Sequence, residues 1–221
     1  MGENPEAVFN TGCPSIDLAK IVAKNPSLDF DPIEKYGGVG PDIKWGEGYI
    51  VVLHHPVTTE FNDSSKNIES LLSVVDGLGI PTFWFWPNVD EGSDAISKGI
   101  RMYREAGRLS QIRFYKNMDT HDFLLLLHNS SCLIGNSSVG IREGSFLGTP
   151  VVNVGDRQAN RERGVNTIDV SCNTLQIVKA VIEARKLKRL SQHIYGDGNA
   201  GKRIATILDE IEFDTNKVLS Y

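Results

Sequence analysis

Apolar residues along the chain fall into short runs with two alternating spacings. Tyr49-Ile50-Val51-Val52-Leu53-His54 and Thr82-Phe83-Trp84-Phe85-Trp86 are dense stretches of β-branched and aromatic residues, and each predicts a buried strand. Ile112 to Tyr115, Cys132 to Gly135, Val151 to Val154 and Thr167 to Val170 are shorter strand candidates. Between these runs the spacing changes. Ser64 to Leu78 places Ile68, Leu71, Leu72 and Val75 at helical intervals, and Gly79 and Pro81 stop it. Ser93 to Ala106, His121 to His128 and Val139 to Leu147 predict further helices. Thr174 to Leu190 predicts another, with Ile177, Val181 and Ile182 facing inward. Strand and helix thus alternate, and the strands are apolar on both faces. This is the pattern of a doubly wound α/β domain, a parallel sheet covered by helices on each side. Such sheets take ligands at the carboxyl ends of their strands.

The two ends depart from that unit. Met1 to Lys24 holds one short strand candidate, Ala7 to Asn10, and a helix from Ser15. Pro26 to Gly48 is rich in Gly, Pro and Asp and predicts a linker or surface loop. Gly196 to Ser220 predicts a final helix with Ile204, Ile207, Leu208 and Ile211 on one face.

Composition narrows the function classes. The chain has 221 residues, 40% hydrophobic and 23% charged, with 23 basic and 28 acidic side chains and a net charge of −5. That profile is globular, and the acidic balance argues against non-specific nucleic-acid binding, which needs concentrated basic charge. Cys13, Cys132 and Cys172 are odd in number, and no two have CxxC spacing. They predict neither a disulfide framework nor a zinc site, which fits a reducing, cytoplasmic setting. The run Phe123 to Leu127 is far short of the ~20 residues that span a bilayer. The start is polar and acidic, with no signal-peptide pattern, and Met1-Gly2 lacks the Ser or Thr that myristoylation wants.

Four segments carry candidate chemistry. In Ile134-Gly135-Asn136-Ser137-Ser138-Val139-Gly140-Ile141-Arg142-Glu143 a strand ends at Gly135 and a helix opens with Asn136 or Ser137 as its cap. Free amides and the helix dipole favour an anion there, and Ser137 and Ser138 add hydroxyl donors. Glu143 can accept two bonds from a ribose diol. The alternative is a plain capped helix with Glu143 paired to an Arg. In His54-His55-Pro56, one imidazole can meet a phosphate oxygen; a structural histidine is the alternative. Asn88, after the next strand, can bond a sugar or phosphate, or merely make a turn. Arg157, in Gly155-Asp156-Arg157-Gln158, suits a diphosphate by fork geometry, while Arg161 and Arg163 beside Glu162 and Asp156 predict a solvated salt-bridge cluster. Gly196 to Arg203 follows GxxxxGK, but Arg203 stands where a P-loop needs Ser or Thr, and no apolar strand precedes it. No nucleophile elbow or HExxH is present, and no pair of carboxylates is well placed for acid–base work. Together these features outline half of a nucleotide-sugar site without catalytic machinery of its own.

The segments His55 to Thr59, Pro87 to Asp90, Ile134 to Glu143, Gly148 to Gln158, Arg161 to Asn166 and Ile194 to Ala200, taken in this order, resemble the UDP-N-acetylglucosamine 2-epimerases, most of all their hydrolysing branch, which feeds sialic-acid-type sugar synthesis. Gly12-Cys13-Pro14-Ser15 resembles that family's connector between domains. The resemblance implies a Rossmann-like doubly wound parallel sheet, the C-terminal half of a GT-B architecture. Residues 1–48 would be the connector and loop from an absent first domain, 49–195 the UDP-binding domain, and 196–221 a helix crossing back.

The resemblance also implies roles. His55 contacts the diphosphate and supports catalysis; Ser137 and Ser138 bind phosphate oxygens; Glu143 holds the ribose; Asn88 and Arg157 line the same site; the Met118 backbone meets uracil. The proton-moving carboxylates belong to the first domain, so the isolated chain is expected to be inactive. The implied reaction removes the sugar C2 proton, eliminates UDP and adds water, giving N-acetylmannosamine and UDP without metal or cofactor. The implied partners are the UDP-sugar, the first domain and further copies of the full-length protein in a homo-oligomer. A GT-B glycosyltransferase using a UDP-sugar and a non-catalytic nucleotide-binding module are the alternatives.

Overall fold

A computed structural model describes residues 5–56, 64–87, 99–103, 105 and 107–212. Six strands form one all-parallel sheet: β1 (Ile50–Leu53), β2 (Thr82–Phe85), β3 (Ile112–Tyr115), β4 (Leu133–Gly135), β5 (Val151–Val154) and β6 (Thr167–Val170). Their spatial order is β3-β2-β1-β4-β5-β6. The chain therefore builds outward from β1 in one direction, then returns to lay β4 on its other side. The helices are α1 (Ser15–Lys24), α2 (Pro32–Tyr36), α3 (Ser64–Leu78), α4 (99–103), α5 (Thr120–Asn129), α6 (Ser138–Ile141), α7 (Glu143–Leu147), α8 (Thr174–Ala184) and α9 (Ala200–Glu210).

Alternation along each strand feeds two separate cores. Ile50, Val52 and Trp84 face one way and pack with Ile68, Leu71 and Leu72 of α3 and Ile177 and Val181 of α8. Val51, Phe83, Leu133 and Val151 face the other and pack with Ile16, Ala19 and Val22 of α1 and Leu124 to Leu127 of α5. Both faces of the sheet are covered, so the inner strands are largely buried on both sides, as a parallel sheet requires, while the edge strand β6 is only partly buried. The doubly wound architecture is the one the apolar pattern predicts.

Several predicted elements are altered. Ala7 to Asn10 is not a strand: a 3₁₀ turn spans Pro5–Ala7, and Val8 and Phe9 are exposed with no sheet neighbour among the described residues. The segment 26–48 is more than a linker. It carries α2 and a 3₁₀ turn at Trp45–Glu47, and Val39 bridges Phe114 on the sheet's edge. Tyr36 donates to Asp122 Oδ2 at 2.6 Å, beside a Lys35–Asp122 ion pair. α8 stops at Ala184, six residues early. The chain beyond it turns so that the Arg189 guanidinium donates to the carbonyls of His128 and Ser130 at the end of α5. Ile182 is half exposed rather than inward, because five residues beyond Ile177 lies about 140° around a helix. The final helix is Ala200–Glu210; the rest of the predicted stretch to Ser220 lies outside the described residues, as does most of Ser93 to Ala106. All three cysteines are free, and burial pushes the Cys132 thiol up to about 12. No helix among the described residues is long and apolar enough to cross a membrane.

Candidate functional site

The strand order reverses between β1 and β4, and this is where doubly wound sheets open a crevice. β4 ends on Gly135, whose φ of +142° is closed to ordinary side chains. A Cβ there would lie 2.1 Å from the Leu53 carbonyl oxygen of β1. The glycine thus lets the two strand ends touch. Asn136 follows, almost fully buried. Its Oδ1 accepts from the His55 amide at 2.7 Å, and its Nδ2 donates to the His55 carbonyl at 2.8 Å. Of the two candidate caps, Ser137 is the one used: its Oγ accepts from the Val139 amide at 3.4 Å.

The helix predicted from Val139 to Leu147 is two short helices, α6 and α7, separated at Arg142 with ψ −74°. Gly140 lets α6 sit tightly on the sheet, since a Cβ would come within 2.9 Å of Leu133 and Val151 side chains. A helix this short has little summed dipole, so the anion-binding capacity lies in the individual amides and hydroxyls at its start. Glu143 opens α7 and is buried. Its Oε1 lies 3.5 Å from the Arg142 guanidinium, and its Oε2 is buried with no hydrogen-bond partner among the described residues. A buried carboxylate oxygen left unsatisfied costs roughly 1–3 kcal/mol. The alternative of a simple Glu–Arg pair therefore accounts for only one oxygen, at long range.

His54 and His55 are both buried. His55 lines a cavity of about 290 Å³ together with Leu53, Phe85, Trp86, Lys116, Met118 and Ser137. Burial, with the neighbouring His55 and Arg157, pushes His54 down to about 4. An unfolded histidine titrates near 6.5. A folded pKa below the unfolded one means that stability is complete above pH ~6.5 and is lost as pH falls toward ~4. Wild type is expected to lose about 2 kcal/mol more than His54→Gln between pH 7 and pH 4.5, measured by urea unfolding. Equal losses would show that His54 is not held neutral by the fold.

Met118 reaches the same cavity from the loop after β3. Its amide is already taken by Asn117 Oδ1 at 2.9 Å, which leaves its carbonyl as the backbone group able to meet a base. Asn88 lies outside the described residues. Arg157, after β5, donates to the Asn136 carbonyl at 3.3 Å, and Gln158 donates to the same oxygen at 2.8 Å. His55, Ser137 and Arg157 thus meet around one asparagine, although they come from three separate loops. Asn136 and Gln158 were missed as organisers, because nothing local to either shows which loop it will reach.

Two other segments resolve structurally. Arg163 pairs with Asp169 of β6 at 2.7 Å, so its partner is neither Glu162 nor Asp156. The P-loop-like stretch binds its own chain: the Ala200 and Gly201 amides donate to Asp17 at 2.9 and 2.7 Å, and Arg203 pairs with Asp197. The amides a phosphate would need are filled. Among the described residues, no three His, Cys, Asp or Glu side chains gather as a metal site.

The profile of the family described as UDP-N-acetylglucosamine 2-epimerase matches residues 1–209. The UDP-N,N'-diacetylbacillosamine 2-epimerase (hydrolyzing) of Legionella pneumophila is 31% identical over 212 residues, which cover 96% of this chain and 54% of that protein. The UDP-N-acetylglucosamine 2-epimerase of Neisseria meningitidis serogroup B is 29% identical over 189 residues, covering 85% and 46%. A crystal structure of UDP-GlcNAc 2-epimerase from Neisseria meningitidis, bound to UDP-GlcNAc, aligns with a TM-score of 0.70 at 18% identity and covers 95% of this chain and 57% of that one. The chain spans about half the length of the curated relatives it matches.

Proposed function

Since the chain belongs to the UDP-N-acetylglucosamine 2-epimerase family, we propose that it is the UDP-binding half of a hydrolysing UDP-sugar 2-epimerase. The observation that carries this reading is the convergence at the strand-order reversal: His55, Met118 and Ser137 line one cavity, and Arg157 is tied to the same Asn136. The hydrolysing branch is favoured by the Legionella relative, whose name states that chemistry. In this reading residues 49–195 bind the nucleotide, 1–48 connect to the other half, and the last helix crosses back to it.

Each residue then has a definite task. The Met118 carbonyl accepts from the uracil N3–H. Glu143 accepts from the ribose hydroxyls, which satisfies its orphaned Oε2. His55, Arg157 and the hydroxyls of Ser137 and Ser138 surround the diphosphate. UDP is the leaving group, so its negative charge grows as the C1–O bond breaks. Donors already fixed around the diphosphate stabilise that growing charge more than they stabilise the bound substrate. Proton removal at C2, and water addition to the resulting glucal, fall to the half that this chain does not span.

The chain alone is expected to bind UDP and to leave UDP-N-acetylglucosamine unturned. A polypeptide joining it to the missing half is expected to release UDP from UDP-N-acetylglucosamine in water alone, followed by a coupled UDP assay. Release only on addition of an acceptor sugar would replace this reading with a glycosyltransferase. No UDP binding by the chain would remove the site.

A further inference from the structure

We infer that Asn136 is the positioning residue of this site, holding the diphosphate-facing groups of three loops in register without itself touching the nucleotide. This rests on the UDP-binding reading above.

The β1·β4 ladder ends at the pair Leu53↔Gly135. Beyond it the backbones part, and the loop after β1 would be free to shift. Asn136 prevents this by extending the ladder with its side chain. The two bonds to the His55 amide and carbonyl imitate a backbone pairing, with one donor and one acceptor on the same residue. Among side chains this short, only asparagine offers both groups in one plane. Asp lacks the donor, Ser has a single oxygen, and Ala has neither. With His55's backbone fixed on both sides, its side chain is set at the cavity wall beside Ser137.

The backbone of Asn136 serves the third loop. Its carbonyl accepts from Gln158, which is itself buried, and from Arg157. Arg157 is exposed and long, and nothing on its own strand fixes it; the Asn136 carbonyl is a fixed point for its guanidinium. One residue therefore sets the spacing between an imidazole, a guanidinium and the serine hydroxyls of the next two positions. Positioning of this kind matters most for a charged, multidentate group, because each donor must meet a different oxygen. It matters less for a neutral uracil base met by the Met118 carbonyl, which needs no such matched set of donors.

That difference supplies the test. The ¹⁵N-labelled chain is titrated by NMR with UDP and with uridine, and the ratio of the two affinities measures the contribution of the diphosphate. Asn136→Ala is expected to reduce that ratio at least tenfold while uridine affinity changes less than about twofold. Gln158→Leu removes only the bond to the Asn136 carbonyl and keeps the clamp on His55. It is expected to lower the ratio about threefold and serves where Asn136→Ala does not fold. A merely structural role would weaken both ligands by one factor. That result, or an unchanged ratio in both variants, would overturn the inference while leaving the UDP site in place. A wild-type chain with no preference for UDP over uridine would overturn the site itself, and this inference with it.

Discussion

Glu143→Met is expected to weaken UDP binding by at least tenfold while the protein unfolds at the same urea concentration as wild type or a higher one. The two halves of this expectation have one cause. Hydrogen bonds to a charged group contribute about 1.5–3 kcal/mol each, so a carboxylate that grips two ribose hydroxyls accounts for one to several powers of ten in affinity. In the protein alone, the same carboxylate is a burden. It is buried, it meets Arg142 only at 3.5 Å, and its Oε2 has no hydrogen-bond partner among the described residues. Methionine has nearly the same length and no polar atom to desolvate. Replacing the group should relieve part of the burial cost and remove the grip on the nucleotide. Calorimetry with UDP and urea unfolding followed by circular dichroism give the two numbers. A variant that binds UDP normally would take Glu143 out of the site. One that loses stability in step with affinity would make it a structural residue.

Gly135→Ala is expected to cost the fold about 2–6 kcal/mol, a large share of the 5–15 kcal/mol that holds a typical domain together. Two penalties add. A φ of +142° is strained for any residue with a Cβ, and the added methyl would stand 2.1 Å from the Leu53 carbonyl oxygen and 2.6 Å from its carbon. Those atoms are backbone in the middle of a sheet, so they cannot swing aside as a flexible side chain would. Relief requires β1 and β4 to separate, which would also break the Asn136 clamp on His55. The variant should therefore unfold at markedly lower urea and, where it folds, lose UDP affinity as well. A midpoint within about 0.5 kcal/mol of wild type, converted through the slope of the unfolding curve, would show that the strands are not packed as closely as described.

Read locally, the chain already contains most of this molecule. The strands appear mainly as apolar runs, because a sheet covered on both faces buries both sides of its inner strands; the edge strand β6 is only partly buried. The bounds of α3 coincide with a periodic stretch ended by Gly79 and Pro81. The Gly135-Asn136-Ser137 turn is legible as a strand end followed by a helix cap, at the carboxyl end of the sheet where doubly wound folds open a crevice. The charge balance and cysteine spacing narrow the classes of function, since both are read along the chain without any tertiary contact.

Other features arise only in three dimensions. Asn136 reads as one of two helix caps, yet its partners are His55 and, through its carbonyl, Arg157 and Gln158, which strand order alone makes neighbours. The helix after β4 looks continuous, but it packs on Leu133 and Val151 and divides at Arg142. α8 has periodicity to spare beyond Ala184; its end is set by the place Arg189 takes at the carbonyls closing α5. The P-loop look-alike is disarmed by Asp17, roughly at the other end of the chain. The physical division is one of range. Side-chain period and backbone conformation are settled within a turn or two of the chain, whereas a hydrogen-bond partner or a packing neighbour is chosen by the order in which distant strands lie side by side.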